Sequence, residues 1–313
     1  MYISASIGVI VADSRTNSAA DLLRDADLAM YRAKALGRYR CELFTAELRN
    51  AVLERLELET DLRLAIEKHQ LRVYYQSKII LETGRLLGFE ALVRWVHPTR
   101  GLVGPCDFIP IAEDTGLITA LGAWVLREAC HQMRAWQLQF PHVPPLEVSV
   151  NLSPRQFQDP ELIPTVLEVL EESGLPPASL QLEVTESVLI RDANQAIETL
   201  QRLKQIGVGL KLDDFGTGYS SLNYLCRLPC DSLKIDRSFV ASMCDDENSL
   251  QVIRAILSLA QSLGKTVVAE GIDSTRHVAQ LRDLGCEFGQ GFFFSRPIPP
   301  EDVVSLLEAD TRL

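Results

Sequence analysis

Acidic and amide side chains recur at the ends of short apolar runs in this 313-residue sequence. Such side chains are costly to bury without counter-charge, so a shared location would require cations. Oxygen-only donors favour Mg²⁺ or Mn²⁺ over zinc or redox iron, which usually recruit His or Cys. Two adjacent aspartates could serve two ions, an arrangement suited to in-line displacement at phosphorus. The set, with one lysine and no histidine, comprises Glu90, Asn151, Glu183, Asp213, Asp214, Lys234, Glu270 and Gln290.

A structural explanation is open for each of these residues taken alone. A strand-end acid often caps the next helix or pairs with an arginine, and for a single position this explanation is as strong as a functional one. Seven strand ends that carry such side chains together favour a functional site at that edge of the sheet.

Eight short apolar runs alternate with helical stretches after Leu71, which is the pattern of repeated β–α units. Only residues 82–85 join the first two runs, and this hairpin-length link cannot hold a crossover helix. The prediction is an α/β fold, a (β/α)₈ TIM-type barrel with the first strand antiparallel, whose site lies at the carboxyl ends of the strands. A doubly wound open sheet is the alternative, although no glycine-rich loop follows the first strand. The expected strands are residues 72–81, 87–95, 146–152, 180–186, 208–213, 232–236, 266–270 and 288–293.

Three segments of the chain differ in pattern. Residues 1–46 hold one strand-like run and one helix-like stretch, which are too little for a core of their own. We expect this strand to find no sheet partner and this helix to continue loosely into the next segment. Residues 47–70 have a helical pattern and predict a connecting helix. The barrel domain is expected over residues 71–313.

The charge balance excludes some classes of function. The formal net charge is −11 and the pI is about 5.0, which argues against binding a nucleic-acid polymer through basic patches. No apolar run reaches the roughly 18 residues of a spanning helix, so no membrane segment is expected. The 7 cysteines are scattered without CxxC spacing, which indicates neither a disulfide framework nor a zinc site. A reduced, cytoplasmic location is the simplest expectation.

Seven ordered motifs carry a family resemblance. They are EAL at 90–92, VNLS at 150–153, LEVTE at 182–186, DDFGTGYSSL at 213–222, LKID at 233–236, AEG at 269–271 and GQG at 289–291. Together, from about residue 56 to residue 307, they resemble the EAL domain. The resemblance implies a phosphodiesterase that hydrolyses cyclic di-GMP to linear pGpG with Mg²⁺ or Mn²⁺, two ions per site.

The resemblance also implies a set of metal ligands. One ion would be held by Glu90, Asn151, Glu183 and Asp213, and Asp213 would bridge to a second ion held by Asp214. Glu270 would bind the second ion directly or through water. This assignment agrees with the chemistry, because water bridging two cations loses a proton near neutral pH and no side-chain nucleophile is needed.

Other residues would act on water and substrate. Lys234 would hold the attacking water or a phosphate oxygen, and Glu270 could instead accept a proton. Arg94 suits a phosphate oxygen, because a guanidinium fork matches phosphate geometry, although a surface salt bridge is an equal alternative. Gln76 and Gln290 would orient water or substrate. In the family, Glu186 steadies the loop after Asp213, which couples dimerisation to metal binding, so a homodimer is expected.

The first 40 residues carry a second resemblance. SIGV at 6–9, ADLAMYRAK at 26–34 and GR at 37–38 resemble the carboxyl end of a GGDEF diguanylate cyclase domain, although the GGDEF signature is absent. Residues 1–46 would then be a remnant without cyclase activity. For the barrel, a non-catalytic cyclic di-GMP receptor is the alternative function, and an unrelated Mg²⁺-dependent barrel enzyme is a third. The complete ligand set favours the phosphodiesterase.

Lys211 departs from the EAL pattern, which usually has a small residue there. Strand alternation places it on the face of Asp213, one layer deeper in the barrel and level with Ser149, Gln181 and Ser232. We therefore expect Lys211 to pair from below with a metal-ligand carboxylate, Glu183 or Asp213. If the strand register is shifted by one residue, it points to solvent instead.

Overall fold

The computed structural model describes residues 4–11, 18–35, 39–141, 145–189, 193–216 and 225–308. Its centre is a closed barrel of eight strands, in agreement with the predicted fold class. All eight expected runs form strands, with ends shifted by a few residues. They are β3 (Leu71–Ile80), β4 (Arg85–His97), β6 (Glu147–Leu152), β7 (Leu180–Thr185), β8 (Gly209–Phe215), β9 (Ser232–Ile235), β10 (Thr266–Ala269) and β11 (Phe288–Gln290).

The reversed first strand closes the barrel. β3 pairs antiparallel with β4 on one side and with β11 on the other, whereas β4 and the six later strands pair parallel. The turn between β3 and β4 includes Gly84 at φ 71°, a left-handed conformation that glycine adopts readily. The short link therefore fixes the direction of β3, as the sequence predicts.

Strand β4 is longer than the barrel needs. Its distal half continues beyond β6 and pairs with a short antiparallel strand, β5 (Gly101–Val103). Trp95 is fully buried there against Phe108. Glu90 consequently lies in the middle of β4 instead of at its end, while still reaching the level at which the neighbouring strands end.

Helices cover the outside of the barrel. The buried apolar residues of the strands and helices form one continuous core. The helices of this layer are α3 (Pro105–Thr115), α4 (Leu117–Gln139), α5 (Pro154–Phe157), α6 (Leu162–Ser173), α7 (Ala193–Ile206), α8 (Arg237–Ser242), α9 (Glu247–Ser262), α10 (Thr275–Asp283) and α11 (Pro300–Glu308).

The amino-terminal residues form a small unit of their own, against our expectation. Strand β1 (Ile7–Val9) pairs in parallel with β2 (Cys41–Leu43), so the first strand does have a sheet partner. Helix α1 (Ala19–Ala35) precedes β2 and does not run into the connecting helix α2 (Ala46–Glu67). The sequence reading was wrong because residues 41–43 are too short a run to be recognised as a strand. A separate apolar cluster of Ala29, Leu48 and Val52 packs α1 on α2.

No helix among the described residues is long and apolar enough to cross a membrane.

Candidate active site

Lys234 lies at the centre of an acidic cluster inside the carboxyl end of the barrel. Its ammonium, 1% exposed, contacts Glu183 at hydrogen-bond distance, Glu270 at 2.6 Å and Asp213 at 3.1 Å. Glu90 lies 3.8 Å away. These side chains come from five different strands or strand ends, so only closure of the barrel brings them together.

The cluster perturbs the acidity of its members. Burial raises the pKa of Asp213 to about 6 and that of Glu270 to about 8, although Lys234 opposes both shifts. Burial acts on Glu183 in the same direction, but Lys234, Lys78 and Lys211 outweigh it and lower its pKa to about 2. Burial alone would lower the pKa of Lys234, yet the surrounding acids raise it well above its usual value. Lys234 is therefore a permanent cation among acids of unequal strength.

Glu90 is fixed by a row of amides. Asn151 Nδ2 donates to Glu90 Oε1 at 2.6 Å, and Gln290 Nε2 donates to Glu90 Oε2, also at 2.6 Å. Gln290 Nε2 reaches Gln76 Oε1 at 2.9 Å, and Gln76 Nε2 donates to the Ser295 carbonyl oxygen at 3.0 Å. The row gives Glu90 a single orientation toward Lys234 and explains why amides surround this acid.

A cavity of about 600 Å³ opens above the cluster. Arg94 lies on its wall, because it projects from β4 on the same face as Glu90, four residues earlier. Its guanidinium is 5.8 Å from the Tyr74 ring centroid and donates to the Val93 carbonyl oxygen, and burial lowers its pKa. The side chain thus faces the cavity, and no salt bridge holds it among the described residues.

Asp214 and Glu186 lie at the start of the loop after β8. Asp214 has φ 53°, a left-handed conformation that aspartate tolerates better than most residues, and its backbone N–H donates to Asp213 Oδ1 at 2.9 Å. This turn directs Asp213 inward and leaves Asp214 exposed. Glu186 Oε1 accepts a hydrogen bond from the Gly216 N–H at 3.2 Å, so it ties the base of the loop to the end of β7. The loop beyond residue 216 lies outside the described residues.

Sequence reasoning missed several residues on the cavity wall, among them Arg237, Ser238 and Phe292. Phe292 is 57% exposed and its ring stacks on the Arg296 guanidinium at 4.5 Å. Gly271, at φ 72°, allows the chain after Glu270 to approach Arg237, because an added Cβ would lie 2.6 Å from the Arg237 Cβ. Arg237 and Ser238 directly follow the expected strand 232–236, and Phe292 lies near the end of the expected run 288–293. A search of all residues at and just past the strand ends would have found them.

Lys211 does not pair as we expected. Lys211 is 3% exposed, so the alternative in which it points to solvent is wrong. Its ammonium binds Glu147 Oε1 at 2.5 Å and forms no ion pair with Glu183 or Asp213 among the described contacts. The side chain turns toward the amino ends of the strands because Glu147 begins β6 two layers below Asn151. The expectation failed because strand parity gives the face of a side chain but not whether it leans up or down.

The donor chemistry of the upper cluster fits hard divalent cations. Carboxylate and amide oxygens predominate. Glu183 Oε1 is buried without a hydrogen-bond partner, so this oxygen has a lone pair that could coordinate a cation. Among the described residues, no three acidic, histidine or cysteine side chains already surround a common point, because the Lys234 ammonium lies between the acids. The site therefore contains suitable ligand atoms, but the described side chains are not arranged around one metal position.

The sequence profile of the EAL domain matches residues 59–297. The chain belongs to the EAL domain family. That match includes the acidic cluster, Lys234, the amide row and Arg94. It begins inside α2, so residues 4–58 lie outside it.

Relatives of this EAL domain come from several bacteria. The bifunctional diguanylate cyclase/cyclic di-GMP phosphodiesterase MucR of Pseudomonas aeruginosa is 43% identical over 303 residues, which are 97% of this chain and 44% of MucR. The cyclic di-GMP phosphodiesterase PdeR of Escherichia coli is 40% identical over 299 residues, 96% of this chain and 45% of PdeR. The chain thus spans less than half the length of these relatives.

Solved structures of EAL domains share the fold. One described as PaMucR phosphodiesterase in complex with c-di-GMP has a TM-score of 0.76 and 44% identity, and the match covers 79% of this chain and 99% of that one. The likeness includes the closed α/β barrel.

Proposed function

We propose that this EAL domain hydrolyses cyclic di-GMP to linear pGpG with water activated by two divalent cations. One observation carries the proposal, namely that Lys234 and four carboxylates from separate strands converge at the floor of a cavity lined by Arg94. A buried acidic cluster with one cation suits metal-assisted attack on phosphorus, and the names of similar proteins point to the cyclic dinucleotide.

The cavity suits a substrate of this size and charge. Its volume of about 600 Å³ falls within the usual range for small-ligand sites, roughly 300–1,000 Å³. Arg94 and Arg237 supply two cations on its wall for the two phosphates of the ligand, and the exposed ring of Phe292 supplies an apolar surface for a base.

Different residues are assigned to cation binding and to the positioning of water and substrate. We assign Glu90, Asn151, Glu183 and Asp213 to one cation and Asp213, Asp214 and Glu270 to the other. Bound cations would supply a hydroxide near neutral pH and neutralise charge on the phosphate. Lys234 Nζ, held between Glu183 and Glu270, orients the water or a phosphate oxygen. Glu270 would alternatively accept a proton. Gln76 and Gln290 keep Glu90 in place.

The test is product analysis with a matched variant. The protein is incubated with cyclic di-GMP and Mg²⁺, Mn²⁺ or Ca²⁺, and nucleotides are separated by chromatography. We expect pGpG with Mg²⁺ or Mn²⁺, and at least about a 1,000-fold loss in Glu90→Gln. Glu198→Gln, a change at an exposed helix position, should retain activity. Saturable binding of cyclic di-GMP without any product would instead identify a receptor.

We also propose that residues 1–46 are the end of a second domain joined to the barrel by residues 47–70. Three observations support this division. Among the described residues, the β1–β2 sheet has two strands and exposes the apolar side chains of Ile7, Val9 and Leu43. The apolar cluster of this unit is separate from the core of the barrel. The division is tested by limited proteolysis, which should release a stable fragment that begins near residue 47 or within α2.

A further inference from the structure

A second buried charge cluster lies under the first. It consists of Lys78, Glu147, Ser149 and Lys211, and we call it the basic floor. Lys78 Nζ binds Glu147 Oε1 at 2.9 Å and Ser149 Oγ at 2.5 Å, and Lys211 Nζ binds the same Glu147 oxygen at 2.5 Å. Lys78 is 0% exposed and Lys211 3% exposed, so neither ammonium is solvated.

The basic floor is one layer below the acidic cluster on the same strands. Lys211 precedes Asp213 by two residues on β8, Ser149 precedes Asn151 on β6, and Lys78 follows Gln76 on the reversed strand β3. Because side chains two residues apart point to the same face of a strand, both clusters lie inside the barrel. They share no hydrogen bond among the described contacts, so their influence on each other is electrostatic.

The charges of the basic floor do not balance. Two ammonium groups share one carboxylate, which leaves one surplus positive charge in the barrel interior. An unpaired buried charge is expensive, and the nearest excess of opposite sign is the acidic cluster, where four carboxylates face one lysine. The two clusters lie one layer apart on the same strands, so the surplus charge acts on the carboxylates above it.

We propose that the basic floor is a built-in counter-charge for the metal-ligand carboxylates, and that its surplus positive charge weakens their affinity for divalent cations. Lys78, Glu147 and Lys211 are thus positioning residues that act on the metal site through space. The inference rests on the proposed function, because it takes Glu183 and Asp213 as metal ligands. It predicts that metal affinity follows the net charge of the basic floor and not the loss of any one side chain.

The experiment is a charge cycle at Lys211 and Glu147. Binding of Mn²⁺ alone to the full chain is followed by the electron paramagnetic resonance of free Mn²⁺, without nucleotide. Lys211→Met removes the surplus charge and should tighten binding about tenfold. Glu147→Gln doubles the surplus and should weaken binding about tenfold. The double variant restores one surplus charge and should bind like wild type, within about threefold.

Two controls separate charge from packing. Lys34→Met removes an exposed positive charge from α1 and should leave Mn²⁺ affinity unchanged. Lys211→Gln is a second neutral variant, and thermal melting shows which variants are folded. A purely structural role predicts that Lys211→Met and Glu147→Gln both weaken binding and that the double variant is worse than either.

The outcomes distinguish the two proposals. If wild type binds Mn²⁺, Asp213→Asn abolishes that binding and both folded neutral variants of Lys211 fail to tighten it, the counter-charge inference is wrong while the metal site stands. If wild type binds no Mn²⁺, the two-cation mechanism fails and the inference fails with it. Tighter binding in Lys211→Met together with restoration in the double variant supports the inference.

Discussion

The two ends of the barrel interior use the same groups in opposite proportions. At the carboxyl end, one buried lysine is surrounded by Glu90, Glu183, Asp213 and Glu270. In the basic floor, two buried lysines share Glu147. The upper cluster opens into a cavity of about 600 Å³, whereas Lys78 and Lys211 are almost fully enclosed.

This difference shows how a barrel can hold an excess of acid at its centre. Burial of several carboxylates in one low-dielectric interior is costly, and it raises the pKa of Asp213 and of Glu270. A surplus of ammonium groups one layer below offsets part of that cost. The accessible end can therefore keep open positions for cations and substrate.

The same substitution at the two ends should have very different effects on turnover. Lys234→Met removes the cation at the centre of the acidic cluster and should lower kcat by at least about 1,000-fold. Lys78→Met leaves a balanced Lys211–Glu147 pair and should cost less than about tenfold at saturating Mn²⁺. Both rates are measured from pGpG formation. Equal losses in the two folded variants would show that the two clusters work as one catalytic unit.

The stability of the metal-free protein should depend on pH in opposite ways at the two ends. Glu270 has its pKa raised from 4.5 to about 8, so the folded chain holds a proton that the unfolded chain releases. Its contribution is therefore lost as pH rises from about 4.5 through 8, by a few kcal/mol in total. Glu147 has its pKa lowered from 4.5, so its contribution is present above pH 4.5 and is lost as pH falls through the lowered pKa.

Urea unfolding in EDTA between about pH 2 and 9 measures both effects. Glu270→Gln should remove the loss of stability between about pH 4.5 and 8, and Glu147→Gln should remove part of the loss in acid. Wild-type and Glu270→Gln curves that run parallel from pH 5 to pH 9 would contradict the assignment of that proton to Glu270.

A substitution on the cavity wall should have a smaller effect and should separate substrate binding from metal binding. Arg94→Ala removes a guanidinium that faces the cavity and should raise KM for cyclic di-GMP about 10- to 100-fold, the range expected for a lost charge-assisted phosphate contact. Its effect on Mn²⁺ affinity measured without substrate should be within about threefold, unlike changes in the basic floor. Arg85→Ala, at an exposed position at the start of the same strand, serves as the control. A change in kcat alone would place Arg94 with the reacting groups instead.

Much of the fold follows from local pattern. The eight barrel strands show as apolar runs, and the reversed β3 follows from a four-residue link that cannot contain a helix. The β1–β2 pairing was missed because β2 has only 3 residues, and short-range pattern cannot identify a partner 34 residues away. The candidate site was also predicted only in part. Glu183 and Asp213 lie at strand ends that the sequence pattern indicates, whereas Arg237 was identified from its position in the cavity wall.

The sequence by itself determined the residue types of the site, the strands that carry them and the closed α/β barrel in which those strands meet. Each of these features depends on chain-local periodicity, turn length and the chemistry of a side chain. Only the tertiary structure decided which charges face one another. The separation of Lys234 from Lys211, the sharing of Glu147 by two lysines and the orientation of Glu90 depend on how side chains lean inside the barrel, and that is set by contacts between strands far apart in the chain.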